Sequence, residues 1–182
     1  MARFYGATKP KHDFSNTMVL IPGWHAAAMK RMARAVPDSH LAEDGREMES
    51  HVTVKYGLSD NTPPKRLISA LAGFGPVTAK FGKTSLFKNE DAHVVKIDID
   101  SPGLQRLNKL IGRTVETPGN THPTYIPHGT IAYVKPEHSA KYEGDKTLHG
   151  QEVTFDHVIF SGKDGVHHKI PLGEKRPSYR AT

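Results

Sequence analysis

Apolar residues recur along this chain in two rhythms, every second position in some stretches and every third or fourth in others. Residues 17–21 predict a short apolar strand, and Pro22-Gly23 turns it into a helix carrying Ala28, Met29, Met32 and Val36 at helical spacing, stopped by Pro37. Residues 38–50 are polar and predict a loop. A β-branched run from His51 predicts a strand closed by residues 57–62. Pro63 and Pro64 then open a second helix with Leu67, Ile68 and Leu71 on one face, ended at Gly73. Residues 77–81, 84–87 and 95–100 predict three strands; in the last, Lys96, Asp98 and Asp100 alternate with Val95, Ile97 and Ile99, which leaves one face wet. Ser101 is a helix N-cap with Pro102 in the first helical position, and Leu104, Leu107, Leu110 and Ile111 form the buried stripe up to Gly112. After a loop over 114–127 a strand starts at His128. Residues 151–160 and 165–171 then form a hairpin around Ser161-Gly162-Lys163-Asp164.

Strands interspersed with three helices make the fold class α+β. No low-complexity tract or linker interrupts the chain, and 182 residues with 36% hydrophobic content suffice for one core, so a single domain over 1–182 is expected. Cysteine is absent, which excludes disulfides and thiolate catalysis. No early apolar stretch is long enough for a signal peptide or a membrane span, which points to the cytoplasm and away from membranes. The formal charge of +6 suits an anionic partner, but there is no long basic run and only 8% of residues are aromatic. A small phosphodiester fits that balance at least as well as a long polynucleotide.

Two segments nearly repeat each other: His51-Val52-Thr53-Val54-Lys55-Tyr56 and His128-Gly129-Thr130-Ile131-Ala132-Tyr133. In an extended strand residues i and i+2 share a face, so each segment presents one imidazole beside one hydroxyl. Two such pairs suit phosphodiester cleavage without a metal. One imidazole removes a proton from the attacking oxygen, the other gives one to the leaving oxygen, and the two Thr hydroxyls donate to the non-bridging oxygens. With 12 His in the chain the bare tripeptide is weak evidence, and His122-Pro123-Thr124 also matches it. Context separates them: His51 and His128 open apolar strands, whereas His122 lies among Pro and Gly where no ladder forms.

His51-Val52-Thr53-Val54 and Pro127-His128-Gly129-Thr130-Ile131 resemble the twin His-x-Thr-x signatures of the two-histidine phosphoesterases, the superfamily of RNA 2′-5′ ligases, 2′,3′-cyclic phosphodiesterases and phage nucleases that degrade cyclic oligonucleotide immune signals (anti-CBASS). The resemblance runs over about residues 17–172. Glu49-Ser50-His51 to Leu58 and Tyr125-Ile126-Pro127-His128 look most similar to phage-type members. It implies a two-lobed, LigT-like fold, with two antiparallel sheets lining a central groove and helices outside. It also implies His51, Thr53, His128 and Thr130 as the catalytic set, and host cytoplasm as the location if phage-encoded.

Three further residues are substrate-binding candidates. Lys55, four residues after His51, falls on its face of the strand and can reach phosphate, with a solvated edge lysine as the alternative. Tyr125 and Trp24 can hold a nucleobase or serve as core or rim aromatics. Tyr56 and Tyr133, at odd offsets, are expected to pack behind the sheet. His149, His157 and the adjacent His167-His168 lack metal-ligand spacing, and Gly73-Phe74-Gly75 is followed by Pro76 instead of a helix. No metal, cofactor or obligatory protein partner is implied. The expected partner is a nucleotide, a cyclic oligonucleotide first and an RNA end second; a noncatalytic nucleotide- or RNA-binding module is the third reading.

Overall fold

The computed structural model describes residues 14–122 and 124–173. Nine strands form a curled, half-barrel antiparallel sheet: β1 (Ser15–Leu20), β2 (Leu41–Arg46), β3 (His51–Leu58), β4 (Val77–Lys88), β5 (His93–Asp100), β6 (His128–Val134), β7 (Glu152–Phe155), β8 (His157–Ser161) and β9 (His167–Pro171). Their order is β7-β4-β5-β6-β3-β1-β8-β9, with β2 also paired to β6. The two sheets expected from the sequence are thus the halves of one hydrogen-bonded sheet. Three helices cover it: α1 (Gly23–Ala35), α2 (Pro64–Leu71) and α3 (Pro102–Thr114).

The helix boundaries follow from local chemistry. Ser101 Oγ accepts from the Leu104 amide (3.1 Å) and donates to the Thr78 carbonyl (2.8 Å), so one hydroxyl caps α3 and ties it to β4. Leu104, Leu107 and Ile111 are fully buried along the expected stripe. The helix runs past Gly112 to Thr114, and the end of the Lys55 side chain lies over Gly112, where a Cβ would meet it at 3.3 Å. At the far end of α1 the Arg46 guanidinium donates to the Ala33 and Val36 carbonyls and pairs with Asp38. This satisfies carbonyls that a helix end leaves open.

Three expectations are corrected. Residues 38–50 are not a loop: after a single turn at Asp38–His40, β2 pairs with β6 (Leu41 opposite Val134, Arg46 opposite Ala132). Its Glu43, Asp44 and Gly45 hide the strand: Leu41 packs against the core at its start, but no apolar alternation follows. The two predicted strands over 77–87 are one, bent by an irregularity between Phe81 and Thr84. The stretch 151–160 is broken at Asp156, β7 pairing with β4 and β8 with β1 and β9. Ile68 also stays nearly half-exposed while Leu67 and Leu71 are buried.

β2 and β3 run along the same edge of β6. The Glu47 amide continues the contact by donating to the Ile131 carbonyl (3.0 Å), and Val52 then pairs with Gly129. Beyond this point β3 parts from β6, while its other edge pairs with β1 throughout, from His51 opposite Leu20 to Leu58 opposite Ser15. The gap that opens is closed by side chains: Tyr125 donates its hydroxyl to the Thr53 carbonyl (2.9 Å), and Asn108 of α3 donates to the Val54 carbonyl (2.7 Å). The loop leading to the second motif is pinned at the other end of β3, where the Gly119 amide donates to the Gly57 carbonyl (3.0 Å).

That approach requires glycine. Gly57 has φ +79°, and a Cβ on it would lie 2.2 Å from the Gly119 carbonyl carbon. Gly57→Ala should therefore destabilise by about 2–4 kcal/mol, combining backbone strain with a clash against main chain. Gly45→Ala, with φ +68° but open space around it, should cost only about 1 kcal/mol. Urea denaturation of the two variants measures the difference, and equal midpoints would refute it.

Candidate active site

The Val52–Gly129 pairing decides how the two motifs face one another. Extending that antiparallel register by one residue each way sets His51 across from Thr130 and Thr53 across from His128, all on one face. Gly129 lacks a side chain where Met29 and Ile21 pack against the back of the strand, and a Cβ there would lie 2.7 Å from Met29 Cε. Both histidines are oriented by the same local device. His51 Nδ1 lies 2.6 Å from the Glu49 carbonyl and His128 Nδ1 lies 2.7 Å from the Ile126 carbonyl, two residues back in each case. A carbonyl only accepts, so each Nδ1 carries the proton and each neutral ring offers Nε2 as the free acceptor.

A cavity of about 530 Å3 opens on this face, lined by Thr53, His128 and Thr130, with Lys55 and Tyr125 among its walls. His51 is not part of that lining but is close enough to His128 for its charge to act on the ring. Trp24 is not in the lining either: it stands half-exposed at the start of α1 against His25, which stacks on Phe81 of β4. Tyr125 lies in the cavity wall with its hydroxyl committed to β3, and burial pushes its phenol well above the ordinary range. His122, in the third His-x-Thr match, sits in the wall contributed by the 115–127 loop.

Both motif strands carry an extra residue at the same place. On β3, Met18 faces Thr53 and Thr17 faces Lys55, so Val54 is skipped; on β6, Lys96 faces Thr130 and Val95 faces Ala132, so Ile131 is skipped. Each bulge falls three residues after its histidine and inverts the alternation beyond it. The expectation that Tyr56 and Tyr133 pack behind the sheet is therefore corrected: both line the cavity. Lys55 is carried the other way, the end of its side chain against α3, although it still contributes to the wall. The buried Thr17 hydroxyl mends the ladder at the first bulge, accepting from the Lys55 amide (3.1 Å) and donating to its carbonyl (3.3 Å).

The supposedly wet face of β5 is the face that meets the second motif. Lys96 stands opposite Thr130 and Asp98 opposite His128. The Lys96 side chain is only 5% exposed, and its ammonium donates to Asp98 Oδ1 (2.5 Å) and Ser85 Oγ (2.6 Å) while lying 4.3 Å from the centre of the Phe87 ring. Phe87 in turn meets the His128 ring edge-on, with centroids 4.9 Å apart. Sequence reading found the alternation but not this role, because which strand neighbours β5 is not written locally. Burial lowers the His128 pKa. The hydrogen bond to the Ile126 carbonyl opposes that, the charges of Lys96 and His51 push it further down, and Asp98 partly offsets them. Against the cost of burial, hydrogen bonds from Lys96 and Ser85 hold the Asp98 carboxyl below its usual range. Among the described residues no group of three or more His, Asp or Glu is arranged to hold a metal ion, and no helix is long and apolar enough to cross a membrane.

The family model for the 2′-5′ RNA ligase superfamily matches residues 24–161, a span that takes in both motifs. The chain belongs to that superfamily. The superfamily consists of two-histidine phosphodiesterases and RNA ligases. Among solved structures the chain is similar to TT0787 of Thermus thermophilus (TM-score 0.61, 17% identity, covering 90% of this chain and 100% of that one). It is also similar to Usb1 of Kluyveromyces marxianus (TM-score 0.57, 9% identity, 90% and 100% covered) and to the same protein with uridine monophosphate (TM-score 0.53, 11% identity, 87% and 97% covered). At these identities the shared property is the fold, which is the LigT-like fold expected above. No curated protein matches the chain.

Lys96 and His128 offer a direct test of the electrostatics. Lys96→Met removes a positive charge and leaves the Asp98 carboxylate without its partner; both changes favour the imidazolium, so the His128 pKa should rise. NMR titration of the His128 ring in the two proteins reads the shift. A midpoint that stays put or falls would show that the Lys96 charge does not reach the ring.

Proposed function

We propose that this protein is a metal-independent phosphodiesterase that cleaves a nucleotide phosphodiester, with His51 and His128 as the acid-base pair and Thr53 and Thr130 as donors to the phosphate. The observation that carries this reading is the Val52–Gly129 pairing, which sets the two motifs on adjacent strands, each with its ring held through Nδ1 by the carbonyl two residues before it. Burial, with the Lys96 ammonium beside it, lowers the His128 pKa and so favours its neutral form, which suits the proton acceptor, with His51 as the donor. In the step that fits, His128 Nε2 takes the proton of the substrate's own 2′-hydroxyl and the O2′–P bond forms. The P–O5′ bond breaks as His51 gives its proton to the leaving oxygen, yielding a 2′,3′-cyclic phosphate and a free 5′-hydroxyl. An internal nucleophile is held beside phosphorus already, so it needs only an acceptor within reach. Two rigid hydroxyl donors and the buried Lys96 ammonium supply the field that stabilises the developing charge.

The substrate proposed first is a small cyclic oligonucleotide, the class suggested by the phage-type resemblance of the motifs, with action in the cytoplasm. Processing of RNA ends is the second reading, favoured by the similarity to Usb1, which is known in a form with uridine monophosphate. Incubation with cyclic di- and trinucleotides and with RNA ending in a 2′,3′-cyclic phosphate, followed by product mass, separates them. Linear products from the cyclic compounds alone support the first reading, and turnover of RNA ends alone supports the second.

His51→Ala and His128→Ala should each lower turnover by about a hundredfold to ten-thousandfold with circular dichroism unchanged, and the double variant should be little worse than either. Near-normal turnover in one single variant would rule out the paired mechanism. Activity is expected to survive excess EDTA and to follow a bell in pH whose limbs belong to the coupled pair. An all-deoxy substrate should be inert; its rapid cleavage would instead assign the attack to water.

A further inference from the structure

The twin bulges do more than invert two strands. His, Thr and Tyr stand at the same offsets in both motifs, and the skipped residue at Val54 and Ile131 brings Tyr56 and Tyr133 round to the cavity. Because β3 and β6 are antiparallel, the tyrosines lie beyond their threonines in opposite directions. Three residues of bulged strand separate each Thr from its Tyr, a span of roughly 7–10 Å. The cavity walls divide accordingly. On the Tyr56 side lies Asn120, whose main chain meets Gly57; on the Tyr133 side lie Val94, paired with Tyr133, Phe87, paired with Val94, and Asn89, two residues on. Tyr56 is 37% exposed, a large aromatic left partly open to solvent, and Tyr133 is half-buried. Each wing thus has an aromatic face for stacking and a side-chain amide able to pair with base edges, and the phosphate-binding hydroxyls lie between the wings.

We infer that the site takes a phosphodiester with a nucleoside on each side, one base stacking on Tyr56 and the other on Tyr133. The inference rests on the phosphodiesterase reading and narrows its substrate class: an internal linkage, linear or cyclic, engages both wings, whereas a terminal 2′,3′-cyclic phosphate brings a single base and engages one. Any base offers a π-face, so the platforms set the number of bases more strictly than their identity.

The test compares an equimolar mixture of ribodinucleoside monophosphates with the matching mixture of nucleoside 3′-methyl phosphates, which keep the 2′-hydroxyl but bring one base, and adds 2-hydroxypropyl p-nitrophenyl phosphate as a diester with an internal hydroxyl and no base. Wild-type kcat/KM should be at least about tenfold higher for the dinucleoside mixture, in line with one additional stacked base. Tyr56→Ala and Tyr133→Ala should each lower that value by about tenfold to a hundredfold, mainly through KM, and leave the base-free diester unaffected. The Phe variants should retain wild-type values. Tyr133→Leu keeps the buried bulk and serves where the Ala variant does not fold. Equal turnover of the two nucleotide mixtures, or an unchanged KM in the Ala and Leu variants, would overturn the two-base inference while leaving the phosphodiesterase reading intact. If the wild-type protein turns over none of the three substrates, the phosphodiesterase reading falls and this inference with it.

Discussion

One backbone pairing organises this molecule. Val52 and Gly129 bring the two motif strands together at the point where the halves of the sheet meet, and a slip of one residue would turn the slipped strand's imidazole to the face opposite its partner's. The pairing is short, and β3 is held over its whole length by β1 on its other edge. Much of the surrounding structure maintains that junction. Met29 and Ile21 fill the space behind Gly129, Tyr125 and Asn108 hold β3 where it parts from β6, and the Gly57–Gly119 contact fixes the loop that delivers the second histidine.

Electrostatics then distinguish two motifs that look alike in sequence. β6 lies beside the Lys96–Asp98 face of β5, so His128 feels a buried ammonium and a carboxylate. Lys55, the cation of the first motif, is diverted by the bulge at Val54 and leans on α3. The asymmetry between the two imidazoles therefore comes from neighbouring strands and not from the motifs. A buried lysine is tolerated here because Asp98, Ser85 and the face of Phe87 together replace its water.

The features legible in the sequence were those encoded locally. Ser101-Pro102 announced a cap, Leu104, Leu107 and Ile111 announced a buried stripe, and the repeated His-x-Thr announced a shared face. β2 was illegible because an edge strand with Glu43, Asp44 and Gly45 has no apolar alternation and hence no period. The bulges were illegible because Val54 and Ile131 are ordinary strand residues; only the partner strand reveals that they are skipped. For the same reason Tyr56 and Tyr133 were assigned to the wrong face, and Lys96 looked like a solvated residue until β6 was known to be its neighbour.

The carbonyl two residues before each histidine has a wider consequence. In many sites a ring is steered by a carboxylate from elsewhere in the fold, and the arrangement is lost when that distant residue changes. Here the tautomer and tilt of each imidazole are written into three consecutive residues, 49–51 and 126–128, through main chain alone. Each half of the site carries its own device for orienting its ring, and the rest of the protein supplies the distance between the halves and, through β5, their different electrostatic surroundings.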